Sequence, residues 1–501
     1  MKNKGFTLVE LLAVIAILAI LVIIAMPNVL GMFNNAKKDA FLTEVKAVYK
    51  STKEKYLSMS MSNSKVSKIT SSQDPRLSLD GRDLEYCIQL DRKGGVLSIS
   101  VSNGEYYVAL GAVSDIENLD TDVVKEGGFE KVSCNYLAAR IFSDNNIQSD
   151  VNIDYSKPSS LSNGQGFYRD YKTGDGNNFF FRGGTFCAYP NYELEPAYST
   201  GGYCTAAGGE WITYSSSNDE CLHGKCMECS LDTDRNKCKS LGYEFYDLKN
   251  YVKFAGKLWN IVRLDENGEI RMILADSIGK SPFNSAATDV DNAHVGYMFG
   301  KIGSDNYNDT HSNIYDSTIK TYLDNWYETN IAGYANYLVD AGYCNDRTII
   351  DGVSLGYGKN ETYYASHTRN MKTFTPSYVC ADAQRNLFTT QNAKFGNKML
   401  QYPIGLLTYD EAAFAGMFYN KPNYENYLTF GANYWTMTPH KILNSKVYGY
   451  NWYIYTDGSP YFMRLYSNIV VRPVITIHQD LEIDSGSGTY DDPYVITATS
   501  V

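Results

Sequence analysis

"KGFTLVELLAVIAILAILVIIAMPNVL", residues 4–30, decides the architecture of this 501-residue chain. From Phe6 to Met26 the sequence is apolar except for Thr7 and one carboxylate, Glu10. An apolar helix of about 20 residues spans a bilayer, so the run is long enough to cross. It is too long for the apolar core of an ordinary secretory signal, and no Ala-x-Ala-like cleavage site follows it. Lys2 and Lys4 precede the run without an acid between them. The positive-inside tendency therefore places the N-terminus in the cytoplasm and predicts a single-pass protein. Glu10 does not suit a plain anchor, because a charge at the bilayer centre costs about 2.5–3.5 kcal/mol on insertion scales. Complementing the helix dipole would return only about 0.3–1 kcal/mol.

The residues around that carboxylate, "KGFTLVE", resemble the processing site of type IV prepilins and pseudopilins. The resemblance implies that a prepilin peptidase cuts after Gly5, that residues 1–5 are a leader, and that Phe6 becomes the N-methylated first residue. It implies that Glu10 is the assembly carboxylate, pairing with the terminal amine of a neighbouring pilin subunit. The pairing is chemically reasonable: cleavage creates a cation, and two charges withdrawn from water each need a partner. The implied partners are other pilin subunits, the prepilin peptidase, an inner-membrane assembly platform and membrane lipid.

Beyond the span, Pro27 removes a backbone donor and predicts a helix kink. Val29, Phe33, Ala36, Ala40, Phe41, Val45, Val48 and Thr52 then follow helical spacing, with most lysines off that stripe. One helix over residues 6–57 would reach about 75 Å at 1.5 Å per residue. Its outer half is expected to pack an apolar stripe against a head.

Residues 1–57 hold eight lysines and four acids, a balance of +4, so the remainder carries −15 of the total −11. Phosphate backbones are held by Lys and Arg, and no direct nucleic-acid binding is expected of so acidic an ectodomain. The chain has 43 tyrosines and 40 glycines. Tyr, Gly, Ser and Asn are residues of adaptable recognition surfaces, and equally of a water-facing, β-rich protein.

All ten cysteines lie after residue 80: Cys87, Cys134, Cys187, Cys204, Cys221, Cys226, Cys229, Cys238, Cys344 and Cys380. An even number confined to the translocated part predicts extracellular disulfides. Cys87 and Cys134 are placed to clasp a small head, and Cys344 with Cys380 reads as a structural disulfide. "CLHGKCMECSLDTDRNKC", with Cys221, Cys226, Cys229, Cys238 and His223, offers zinc ligands as the competing reading. Its spacing is not that of a regular knuckle, and disulfides are preferred.

The predicted fold class is α+β, in five segments. Residues 1–5 are the leader and 6–57 the membrane-spanning and amphipathic helix. Residues 58–150 form a small antiparallel pilin-like β head, with strands at "LEYCIQL", "GVLSISVS" and "EYYVALG" and a short helix near Asp115–Asn118. Residues 151–240 form a Gly-, Tyr- and Cys-rich insert. Residues 241–501 form a large extracellular α+β domain. In it, "YVKFAGKLWNIVRLDENGEIRMILAD" reads as paired strands turning at Asn267–Gly268. "STIKTYLDNWYETNI" reads as a helix with Ile319, Tyr322, Leu323, Trp326 and Tyr327 on one face, capped by Asp316 or Ser317. "GLLTYDEAAFAGMF" reads as a second helix. The strand pair, the two helices, the turn "WTMTP" and the final "VRPVITI" resemble the C-type-lectin-like and formylglycine-generating-enzyme fold group. By that resemblance alone, Cys344 and Cys380 would be a copper- or oxygen-using thiol pair.

No catalytic residue, cofactor site or metal site is assigned. His294, His311, His367, His440 and His478 are scattered without metal spacing. Acid and amide oxygens over Asp305–Asp316 are of the type that holds Ca²⁺, but the EF-hand pattern is missing and a solvated loop is the simpler reading. Trp435 and Trp452 are the candidate ligand surface, offering flat aromatic faces to a glycan or another surface ligand. The expected function is a type IV pilin-like filament subunit, a minor or tip pilin with an adhesive head. The alternative is a pseudopilin-type assembly component of a secretion or DNA-uptake filament.

Overall fold

In the computed structural model the described backbone begins at Leu8 and the described side chains at Met32. Residues 185–247 contribute only short strands, and a few loop stretches, among them 62–65, 112–115, 351–354 and 444–447, also lie outside the described residues. The chain divides into two compact units, Met1–Cys134 and Asn135–Val501.

The first unit is built on one helix, Leu8–Met61, which is continuous through position 27. Phe41, Leu42, Val45, Val48 and Tyr49 are buried from its outer half. They recur at three- and four-residue steps, so one face meets the sheet. Thr52 closes the row, its hydroxyl donating to the Val48 carbonyl at 2.8 Å. Strands Lys68–Thr70, Glu85–Leu90, Val96–Ser102, Tyr106–Gly111 and Lys125–Glu126 form an antiparallel sheet in sequence order. The three central strands are those predicted; the two edge strands are too short to show an alternating pattern. Ile88, Ile99, Val101 and Val108 complete the core from the sheet side. The predicted stripe extends too far towards the N-terminus. Phe33 is 62 % exposed, and Ala36 and Ala40 are exposed as well, because burial by the sheet begins at Phe41. Most of the expected Asp115–Asn118 helix lies outside the described residues; 3-10 turns follow at Thr121–Val123 and Phe129–Lys131. Cys87 and Cys134 form a disulfide with Cα atoms 5.6 Å apart.

The small head therefore ends at Cys134, not at residue 150. The segment after it belongs to the large unit. Strands Ile147–Ser149, Gly166–Arg169 and Phe179–Arg182 continue an eight-stranded sheet through Lys257–Leu264 and Ile270–Leu274 to Val474–Ile477. The reason is apolar: Phe179, Phe180 and Phe181 are all buried. Phe167 stacks on Phe179 and Phe181, with ring centroids at 5.7 and 4.6 Å. Gly166–Arg169 and Phe179–Arg182 are thus strands of the large sheet rather than parts of an insert. Tyr251–Phe254 pairs with Lys257–Leu264 through the two-residue turn Ala255–Gly256, both at positive φ. Asn267 of the predicted Asn267–Gly268 turn lies outside the described residues; beside it the Gly268 N–H donates to the Asp265 carbonyl and the Asp265 N–H to the Glu269 carbonyl, continuing the pairing past Leu264 and Ile270.

A second, six-stranded sheet carries Tyr434–Leu443, Tyr448–Ile454 and Pro460–Arg464, with Lys280–Ser281, Thr362–Tyr363 and Ile469–Val470. The predicted helix spans Thr318–Asn330, with Ser317 as its N-cap accepting from the Lys320 N–H. Ile319, Leu323 and Tyr327 are buried on one face. The second predicted helix is only Tyr409–Phe414. It is short because Gly416, at φ +101°, turns the chain out of the helix.

Candidate functional site

The Tyr409–Phe414 helix organises the charged centre of the large unit. Thr408 caps it in a reciprocal box. The Thr408 hydroxyl accepts from the Glu411 N–H at 3.1 Å, and Glu411 Oε2 accepts from the Thr408 N–H at 2.9 Å. The box turns Glu411 inward in the first turn, next to Asp410. At the other end Arg182, fully buried, donates from Nη1 to the Ala413 and Phe414 carbonyls, both at 3.1 Å. Burial pulls this guanidinium down to about 10. Acids at the start and a cation at the end both complement the helix dipole.

Three further arginines converge on the two acids. Arg263 Nε donates to Glu411 Oε1 at 3.3 Å, and Arg271 Nε lies 2.6 Å from the same oxygen. The latter is a close ion pair whose N–H is not aimed along the contact. Arg271 Nη1 donates to the Gly342 carbonyl and Arg263 Nη1 to Asn178 Oδ1. Arg369 grips Asp410 in bidentate fashion, Nε to Oδ1 and Nη2 to Oδ2, both at 3.0 Å, and reaches Asp346 Oδ2 at 2.7 Å. Burial alone would raise the Glu411 carboxyl, but Arg271 and Arg263 outweigh it and hold Glu411 below the usual carboxylate range. Burial opposes the charge on Arg369 too, and Asp410 and Asp346 raise it in compensation.

These ions line a cavity of about 190 Å³ together with Thr408, Thr438, Ala341, Gly342 and Leu387. Its outer wall is Ser377–Cys380, tied back by the Cys344–Cys380 disulfide. Tyr378 of that wall stacks on Phe414 at 4.1 Å, and the Arg263 guanidinium sits 4.7 Å from its ring.

The sequence-derived ligand surface is not a surface. Trp435 and Trp452 have no exposed area. Trp435 Nε1 donates to the Ser281 carbonyl and Trp452 Nε1 to Ser366 Oγ, so even their polar edges face inward. They fill the core of the six-stranded sheet, where large aromatic area is most stabilising. What remains accessible nearby is a near-parallel row: Tyr419 on Tyr461 at 5.4 Å and Tyr461 on Phe462 at 4.6 Å, all half-buried. The Asp305–Asp316 oxygens are engaged locally. Asn306 caps a helical turn, Asp309 accepts from Ser304, and Asp316 pairs with Lys320. Cys344 and Cys380 are disulfide-bonded, as the structural reading expects. The choice between zinc and disulfides for Cys221, Cys226, Cys229 and Cys238 lies outside the described residues, as do the side chains of Cys187 and Cys204.

Comparison with known proteins bears on the other end of the chain. Residues 1–26 match the prokaryotic N-terminal methylation motif. The match supports a type IV pilin-like prepilin segment, and Gly5, Phe6 and Glu10 fall within it. No curated protein and no solved structure matches the chain, so the C-type-lectin-like likeness of the large unit has no support from comparison. Gly5 and Phe6, and the side chains of Glu10 and Pro27, lie outside the described residues. Among the described residues no helix is long and apolar enough to cross a membrane; the side chains of the apolar run Phe6–Met26 are not among them.

Sequence reading missed the ionic cavity. Two signals for it were present. Arg271 interrupts the apolar strand "IRMIL", and Thr408-x-x-Glu411 spells a capping box at the start of a predicted helix.

Proposed function

We propose that this chain is a type IV pilin-like filament subunit, a minor or tip pilin whose large outer unit is adhesive, and not an enzyme. One observation carries the reading. The methylation motif overlaps the start of a 54-residue helix, and that helix buries one face, Phe41 to Tyr49, under an antiparallel sheet. Such a subunit is inserted as a single-pass membrane protein with its N-terminus in the cytoplasm. It is cut after Gly5, methylated at Phe6, and drawn into a filament with the Glu10 carboxylate facing a neighbour's amine. Its partners are other pilins, the prepilin peptidase and the assembly platform.

The tip placement rests on size. Asn135–Val501 as one body would have a radius of gyration of about 21 Å. Pilin helices pack side by side, and heads this large on every subunit would crowd. Adhesion rests on the half-buried aromatic row of Tyr419, Tyr461 and Phe462, which takes over the role first given to Trp435 and Trp452. Sheared filaments test the reading. Mass spectrometry should find this chain as a minority species starting at methylated Phe6, and the full chain should bind glycans on an array. Filaments made mainly of this chain would end the tip placement. Proper processing with no surface or glycan binding would favour the pseudopilin-type assembly role.

A further inference from the structure

The cavity beneath the Cys344–Cys380 disulfide is lined by six charged side chains, and their charges are unevenly shared. Two guanidinium groups, Arg263 and Arg271, converge on the single carboxylate Glu411. One guanidinium, Arg369, serves two carboxylates, Asp346 and Asp410. Within the cavity lining this leaves a surplus cation on one side and a surplus anion on the other; outside the lining Asp265 also acts on Arg263, and Asp410 further accepts from the Ser377 N–H at 3.2 Å. The side chains of Asp346, Asp410, Glu411 and Arg271 are each no more than 5 % exposed, so solvent screens neither surplus well.

We propose that this cavity binds a small zwitterion of the α-amino-acid type. The ligand carboxylate would meet Arg263 and Arg271. Each guanidinium carries five N–H donors, more than Glu411, Asn178 and Gly342 absorb through the bonds described above. The ligand ammonium would meet Asp346 and Asp410. The cavity, about 190 Å³, admits a molecule of that class but not a long peptide. Val379, a lining residue, is 79 % exposed, so the wall it belongs to reaches the surface. A neutral or singly charged ligand would leave one surplus unmatched, and buried unmatched charge is costly. The inference goes beyond the adhesive reading, and its test involves neither a surface nor a filament.

The test uses the full chain purified in detergent, with titration calorimetry and thermal unfolding. The probes are glycine, L-alanine, D-alanine and L-glutamate, with propionate and ethylamine as analogues that each lack one charge. At least one amino acid should raise the unfolding temperature and give a saturable heat, and both analogues should bind at least tenfold more weakly than alanine. Asp346→Asn should bring alanine binding down to the level of propionate. If that variant does not fold, the wild-type comparison of alanine with its two analogues decides the matter alone. No heat and no thermal shift from any amino acid at 10 mM, with unfolding still cooperative, would overturn the proposal. Analogues that bind as well as alanine would overturn it too.

Discussion

His440 sits in the six-stranded sheet with no exposed area, packed on Trp452 at 4.3 Å and Phe462 at 4.5 Å. Neither ring nitrogen has a hydrogen-bond partner among the described residues. Burial holds its imidazole well below the usual range, with Lys441 and His367 pushing in the same direction. His311 is depressed as well, first by burial and then by Arg347. In the unfolded chain both would take up a proton near pH 6.5. Below that pH the unfolded state binds more protons, so stability falls as the solution is acidified. We expect the urea midpoint to drop between pH 7 and pH 5, with each histidine contributing up to about 1.4 kcal/mol per pH unit. His440→Phe keeps the ring contacts and removes the titrating group. It should flatten that dependence and leave the pH 7 midpoint little changed. A wild-type midpoint independent of pH over this range would contradict the assignment. None of this was legible in the sequence, where His440 is one histidine among six.

At the scale of elements, the sequence was informative wherever pattern and cap agree. Ile319, Leu323 and Tyr327 recur at helical spacing after Ser317, and the helix forms there. "LEYCIQL", "GVLSISVS" and "EYYVALG" lie between turn residues, and they pair as antiparallel neighbours, with one irregularity at Gln89–Leu90. Legibility failed where partners are distant. Arg263 stands 148 residues before Glu411, and no local period announces such a meeting. It failed again at Phe179–Arg182, whose apolar run is too short to be assigned to the large sheet rather than to a loop. The capping box joins the two scales, because the hydroxyl that caps the Tyr409–Phe414 helix also steers Glu411 towards its arginines. Loss of an N-cap costs about 0.5–2 kcal/mol. Thr408→Ala should reach the upper end of that range by denaturant unfolding, since it also frees a buried carboxylate, while Thr408→Ser should stay near wild type. Equal stability of all three would show that the box is dispensable.

For the whole molecule, the boundary at Cys134–Asn135 has a direct experimental consequence. A fragment of residues 241–501 would lack Ile147–Ser149, Gly166–Arg169 and Phe179–Arg182, and would expose the edge of Lys257–Leu264 that pairs with Phe179–Arg182. An open sheet edge invites aggregation. Residues 135–501 keep all eight strands. The longer fragment should be soluble and unfold cooperatively under oxidising conditions, and the shorter should aggregate. Chromatography and circular dichroism distinguish them; a well-folded 241–501 fragment would refute the assignment of residues 147–182 to the sheet core.

Cys134 is the last residue of the first unit, and its disulfide reaches the second strand of the sheet. That placement governs how the molecule carries load. A pull applied between the N-terminal helix and the second unit passes through sulfur directly from Cys87 to Cys134. The chain between them, including strands Val96–Ser102 and Tyr106–Gly111, lies off the line of tension and cannot be unravelled by it. Reduction would return this stretch to the path. With a sequence separation of 47 residues, the gain in contour length is about 160 Å at roughly 3.4 Å per residue. A single-molecule pulling curve taken with and without reductant would display that difference as added extension, so the clasp acts as a strain limiter as well as a fold staple.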